Sequence, residues 1–138
     1  THTRMIDDVS GLASQVPVAA GLFAFASFAS LGLPGLSGFV GEFLSLLGGW
    51  RSQRWEGWVV IAAVGVLFAA AYMLWLVQRV VLGNASAAVK PIGDLDRREV
   101  GVLVPLVALT LGVGIYWDAL LRFTDPAVKA VLALMGGA

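Results

Sequence analysis

The sequence predicts an all-α integral membrane protein, on three observations. Of 138 residues, 59% are hydrophobic and only 13% charged, where an ordinary soluble domain carries about 25% charge. Mean hydropathy is +0.87. The apolar residues fall into runs long enough to cross a bilayer core, for which about 20 residues suffice. We read three transmembrane helices, the first discontinuous at Gly32–Gly35, and a short C-terminal amphipathic helix. All of residues 1–138 belong to one membrane domain, with spans near 16–49 (broken), 57–82 and 97–121.

Residues 1–15 are polar and mixed in charge and read as a surface loop, where Asp8 or Ser10 could cap a helical turn. The first run, 16–50, holds a single charged residue, Glu42. It is too long for one straight span and too short for two with a turn. A helix near Pro17–Leu31, a break at Gly32-Leu33-Pro34-Gly35 and a second helix near Leu36–Gly49 fit that length. Gly32 suits a left-handed helix stop, Pro34 a helix start, and Ser37 a cap for the second half. A re-entrant hairpin turning at Leu33-Pro34-Gly35 is the competing picture.

Trp50, Trp55 and Trp58 mark an interfacial loop, with Arg51 and Arg54 in reach of headgroups. Residues 57–78 carry no charge, and Arg79 closes that run as an interfacial anchor. Gly65 and Ala69–Ala71 permit close helix approach. The connector 84–99 is polar. Asp96 and Glu99 have capping-box spacing ahead of the last span. That span contains Pro105 and ends near Tyr116 and Trp117, and Asp125-Pro126 then reads as the start of a tail helix over Ala127–Met135. Lys90, Arg97 and Arg98 favour a cytoplasmic connector, a bias diluted by Arg51, Arg54 and Arg122.

Composition also excludes. The formal net charge is zero, so no basic field points to nucleic acid. The absence of cysteine removes disulfides and thiolate-held clusters, and one histidine, His2, argues against a histidine metal site. The glycine run at 32–38 follows no strand and is no dinucleotide fingerprint. No Walker or haem-attachment motif occurs, and the Asn84-Ala85-Ser86 triplet is given no role. The chain opens on Thr1 and reads as a piece of a longer protein, too short for a complete transporter bundle.

Glu42 is the candidate functional residue. An ionisable group inside an apolar span is costly and marks function by default, and an interrupted helix beside it is a second cost. Gly35, Gly38, Glu42, Ser45 and Gly49 recur at steps of three and four, so they are expected on one small, polar helix face. Gly38 and Ser45 would line a water path along it. Loss of hydration disfavours the carboxylate's charge, while the positive end of the second half-helix favours it. A group so balanced can gain and lose a proton, as a relay requires. The structural alternative is a Glu42 that only neutralises a base on another helix and holds the bundle together. His2 and Arg4 read as solvated loop residues, and Tyr72 as a helix-packing one.

These residues also carry a resemblance. THTR at the start, ASLGLPGLSGFVGEFLSLLG around Glu42, then AAAYMLWLVQRVVLG, DLDRREV and DPAVKAVL make the chain similar to the C-terminal end of the M subunits of bacterial NADH-quinone oxidoreductase, respiratory complex I, the homologues of mitochondrial subunit 4. The resemblance implies a broken helix at Leu33, Pro34 and Gly35, and proton translocation through Glu42, where related subunits carry lysine. It implies a non-redox, multi-pass subunit of the inner (plasma) membrane, with NADH, FMN, iron–sulfur clusters and quinone held by other subunits. Partners would be the other membrane subunits and the lipid bilayer. The D subunits of multi-subunit sodium/proton antiporters, and subunits of hydrogenase or ferredoxin-linked complexes, share the architecture and are the alternatives.

Overall fold

The computed structural model describes residues 6, 9–52, 54–84, 93–134 and 136. Among them the chain is all helical, in the order α1 (Leu12–Gln15), α2 (Pro17–Ser30), α3 (Ser37–Arg51), α4 (Glu56–Val80), α5 (Arg97–Ile115) and α6 (Trp117–Leu134). His2, Arg4, Asp8, Lys90, Met135 and most of the Asn84-Ala85-Ser86 triplet lie outside the described residues.

Ser10 is not a helix cap. Gly11 precedes α1, in the left-handed region at φ 70° and with no side-chain cap. The Ser10 hydroxyl instead donates to the Asn84 carbonyl at 2.7 Å, tying the N-terminal segment to the end of α4. Pro17 opens α2 at a position whose N–H would be unused anyway. The next donors, the Val18 and Ala19 amides, are taken by the Asp94 carboxylate at 2.8 and 3.1 Å, from the segment just before α5.

α4 is 25 residues, about 37 Å of helix. Glu56 in its first turn and Arg79 in its last both complement the helix dipole. Arg79 also stacks its guanidinium 4.8 Å from the Trp75 ring centre. α4 and α5 are the described helices long and apolar enough to cross a membrane. α5 begins on the expected capping box: Arg97 N–H donates to Asp96 at 2.8 Å and Asp96 N–H to Glu99 at 2.9 Å.

The core is thin. Ala20 of α2 meets Val77 and Val81 at the end of α4, with Leu12 and Ala24 against them. Outward, large apolar side chains are bare: Leu67 is 69% exposed, Phe68 71%, Val102 68% and Leu109 64%. A soluble chain rarely leaves so continuous an apolar surface, and here it calls for lipid or neighbouring helices. The expected interfacial loop is shorter than its tryptophans: Trp50 lies in the last turn of α3, Trp58 in the first turn of α4 and only Trp55 between them, each more than half exposed.

The last expected span is corrected. Helix α5 stops at Ile115 rather than continuing to residue 121, and Tyr116 leaves helical geometry at φ −104°, ψ 38°. Pro105 lies inside α5 without ending it. The stop falls just after Gly112 and Gly114, which hold a helix weakly. The tail helix is corrected too. It begins at Trp117, not near Asp125, and Pro126 sits inside it. Asp125 is no cap; it pairs with Lys129 at 2.6 Å, as Asp118 pairs with Arg122 at 2.8 Å. Both pairs place the acid four residues ahead of the base, the favourable order on a helix.

Candidate functional site

The break between α2 and α3 is built from two turns. Gly32 adopts φ 70°. Its N–H donates to Ala29 at 3.4 Å and the Leu33 N–H to Phe28 at 3.3 Å. That pair of bonds is a Schellman stop, which satisfies the last carbonyls of α2. The Leu36 N–H then donates to Leu33 at 3.0 Å across Pro34-Gly35. Proline at the second position and a glycine at φ 95° at the third give the geometry of a type II turn. Gly32, Pro34 and Gly35 thus each have a backbone reason to stand between α2 and α3. Ser37 does not cap α3. Its N-cap is Leu36, in extended backbone, with no side-chain bond.

Glu42 lies in the second turn of α3 and is half-buried. Helical side chains lean toward the N-terminus and cover the preceding turn. The Glu42 side chain does so and reaches the break, where its carboxylate rests on Gly32. A Cβ built on Gly32 would collide with Oε2 and lie 2.9 Å from the carboxyl carbon. Gly38 brings the two helices together: a Cβ there would strike the Ala29 carbonyl oxygen and lie 3.6 Å from the Gly32 Cα. The site is therefore the junction of the C-terminal end of α2 and the N-terminal end of α3. The ion pairs between described residues noted above both lie on α6, so none holds Glu42.

The expected stripe divides in the structure. Gly35 precedes α3 and faces α5: a Cβ on Gly114 would lie 2.5 Å from the Leu36 Cα, so the end of α5 abuts the break. Gly49 faces α4, 2.7 Å separating a built Cβ from Val59 Cγ2. Ser45 is exposed and donates to the Gly41 carbonyl at 2.7 Å, within its own helix. Gly35 is part of the break itself, and of the other four only Gly38 and Glu42 reach it. Beside them, a cavity of about 200 Å³ is lined by Gly35, Phe39, Val40, Phe43, Leu44, Gly114 and Trp117. It is apolar, with Phe39 and Phe43 stacked at 5.4 Å, and Glu42 is not among its lining.

Asp94 is the residue that sequence reasoning missed. The Val18 amide is the largest influence holding its carboxyl below the ordinary value; desolvation pushes the other way, and the Leu95 and Ala19 amides add to the lowering. Its partners lie about 75 residues upstream, out of reach of any local pattern. The signal available was α2 itself, which opens on Val16-Pro17 with no capping side chain of its own.

Comparison with known proteins agrees with this architecture. Residues 1–69 match the family described as NADH:quinone oxidoreductase/Mrp antiporter, TM. The chain is 43% identical over 128 residues to NADH-quinone oxidoreductase subunit M of Rhodobacter capsulatus, covering 92% of this chain and 25% of that one. It is 38% identical over 128 residues to NADH-ubiquinone oxidoreductase chain 4 of Marchantia polymorpha, covering 92% and 26%. Among solved structures, a chain of respiratory complex I from Thermus thermophilus with bound NADH superposes with TM-score 0.84 at 33% identity, over 99% of this chain and 28% of that chain. The chain thus spans about a quarter of the length of these relatives. On this match, the chain belongs to the NADH:quinone oxidoreductase/Mrp antiporter transmembrane family, and its relatives are the M and chain 4 subunits of complex I.

Proposed function

We propose that this chain forms part of the proton-translocating, antiporter-like M subunit of an NADH:quinone oxidoreductase, and that Glu42 relays protons there. The subunit is a multi-pass protein of the bacterial inner membrane, packed among the complex's other membrane subunits and lipid. The observation that carries the reading is the position of the Glu42 carboxylate, at the meeting of two helix ends rather than along an intact helix.

On this reading α2 and α3 are one interrupted span, and α4 and α5 are the other two. The neighbours of α4 support it. Val77 and Val81 lie against Ala20 near the start of α2, and Val59 lies against Gly49 near the end of α3. Val59 and Val77 are about 27 Å apart along a helix, close to the roughly 30 Å of a bilayer core. A hairpin would bring the start of α2 and the end of α3 to one level.

The chemistry follows from the two ends. The N-terminus of α3 carries partial positive charge and the C-terminus of α2 partial negative charge. The carboxylate is drawn to the first; the neutral carboxylic acid can donate a hydrogen bond to carbonyls of the second. Irregular backbone at membrane depth persists only where protein or water satisfies it; water that meets the carbonyls left free at the end of α2 would meet the carboxyl group too. Ser45, one turn on, spends its proton on Gly41 and keeps lone pairs for a water chain. This chain is a non-redox part of the translocase: NADH, FMN, iron–sulfur clusters and quinone sit on other subunits, and the energy of their reaction arrives through helix contacts.

In the full subunit within the assembled complex, Glu42→Gln is expected to cut the protons moved per NADH oxidised. Unchanged pumping would defeat the relay.

A further inference from the structure

We propose that Gly32 is a positioning residue for Glu42: the missing side chain at this left-handed turn is the seat in which the carboxylate rests. The link to pumping rests on the relay reading above, while the seat itself stands on geometry.

The backbone alone does not require glycine at this turn. A Schellman stop also accepts asparagine, which tolerates the left-handed region. What a side chain there would displace is the carboxylate, because a Cβ on Gly32 would sit against Oε2, 2.9 Å from Cδ and 3.3 Å from Oε1. Gly35 makes the contrast. It is also left-handed, at φ 95°, yet nothing lies within 4 Å of a Cβ built there. Two glycines of one break therefore differ in what they do: Gly35 serves the turn, and Gly32 serves the turn and the acid.

The first turn of α3 closes the seat. Gly38 lies over the same glycine, 3.6 Å from a built Cβ to the Gly32 Cα, so at these two positions no side chain stands where it could push the carboxylate away. The partial charges of helix ends act only within about a turn. An acid displaced outward from Gly32 leaves both helix ends at once.

The experiment compares Gly32→Ala, Gly35→Ala, Glu42→Asp and the double variant Gly32→Ala/Glu42→Asp in the full subunit of the assembled complex, reading NADH-driven proton translocation. Both alanines strain a left-handed turn, but only one strikes the carboxylate. Gly32→Ala is expected to slow translocation on the order of tenfold more than Gly35→Ala, the scale of displacing a reacting group by an ångström or less. Glu42→Asp withdraws the carboxylate by one methylene and should restore part of that loss. Where Glu42→Gln impairs pumping, equal losses in the two alanine variants, no loss in Gly32→Ala, or no recovery in the double variant would each overturn the seat. A second readout separates the two proposals: the carboxyl infrared band that disappears in Glu42→Gln. If Glu42→Gln pumps normally the relay fails, yet Gly32→Ala must still shift that band; an unshifted band overturns the seat.

Discussion

Gly112 and Gly114 stand two residues apart on α5, and the structure separates their alanine variants. A Cβ on Gly112 meets nothing within 4 Å. One on Gly114 would collide with the Gly35 carbonyl oxygen and lie 2.5 Å from the Leu36 Cα. Those are backbone atoms and cannot rotate aside, so α5 or the break must retreat by roughly an ångström. Each variant gains the same helix propensity, about 1 kcal/mol for alanine over glycine. Only Gly114→Ala also incurs overpacking, about 1–3 kcal/mol. The propensity cancels in the difference, so Gly114→Ala should be about 1–3 kcal/mol less stable than Gly112→Ala. Equilibrium unfolding of the full-length subunit in detergent measures this. Equal stabilities would show that α5 does not brace the break, and the packing described around Gly35 would be wrong.

Other predictions follow from the same contacts. Asp94→Asn removes a charged acceptor from the Val18 and Ala19 amides and should loosen the start of α2, read as faster amide exchange at residues 18 and 19. The native Asp94 carboxyl is held below its ordinary value of 3.8. Its stabilisation is therefore complete above that value and is lost as pH falls through the lower native value. The thermal midpoints of wild type and Asp94→Asn should run parallel at neutral pH and converge only in strong acid; convergence near neutrality would contradict the capping role. Ser45→Ala removes only a bond within its own helix, so assembly should survive, with a stability change within about 0.5 kcal/mol. It should slow pumping less than Glu42→Gln does, and an equal loss would make Ser45 as necessary to the path as Glu42. Lys129→Gln, matched to lysine in helix propensity, should destabilise the α6 helix by a few tenths of a kcal/mol, about 0.2–0.5, an effect that high salt removes; a salt-independent change would mean that packing, not charge, holds Lys129.

Much of this was legible in the sequence where the cause was local. Gly32, Pro34 and Gly35 carry backbone preferences that fix a break wherever they stand together, and Asp96 with Glu99 carries its own cap. The uncharged run after Trp58 needed no partner to be read as a helix. What escaped the sequence has causes far along the chain. Pro105 was the visible disturbance in the last span, yet α5 passes through it and stops at Tyr116. Ser37 has the right chemistry for a cap but falls one residue inside α3, because the turn at Pro34-Gly35 places Leu36 at the boundary. The acid at position 42 stood out at once; its seat did not. Helical spacing links Glu42 to Gly38 and Ser45, whereas the residue under its carboxylate is ten positions back, across a break whose fold brings the two together.

The central claim is that Glu42 gains and loses a proton while the complex turns over. Difference infrared spectroscopy of the reconstituted complex during NADH oxidation tests it most directly, with the carboxyl band identified by its absence in Glu42→Gln. The account predicts a band that rises and falls with turnover and exchanges in heavy water. A band that stays constant from the resting enzyme through steady state would contradict it.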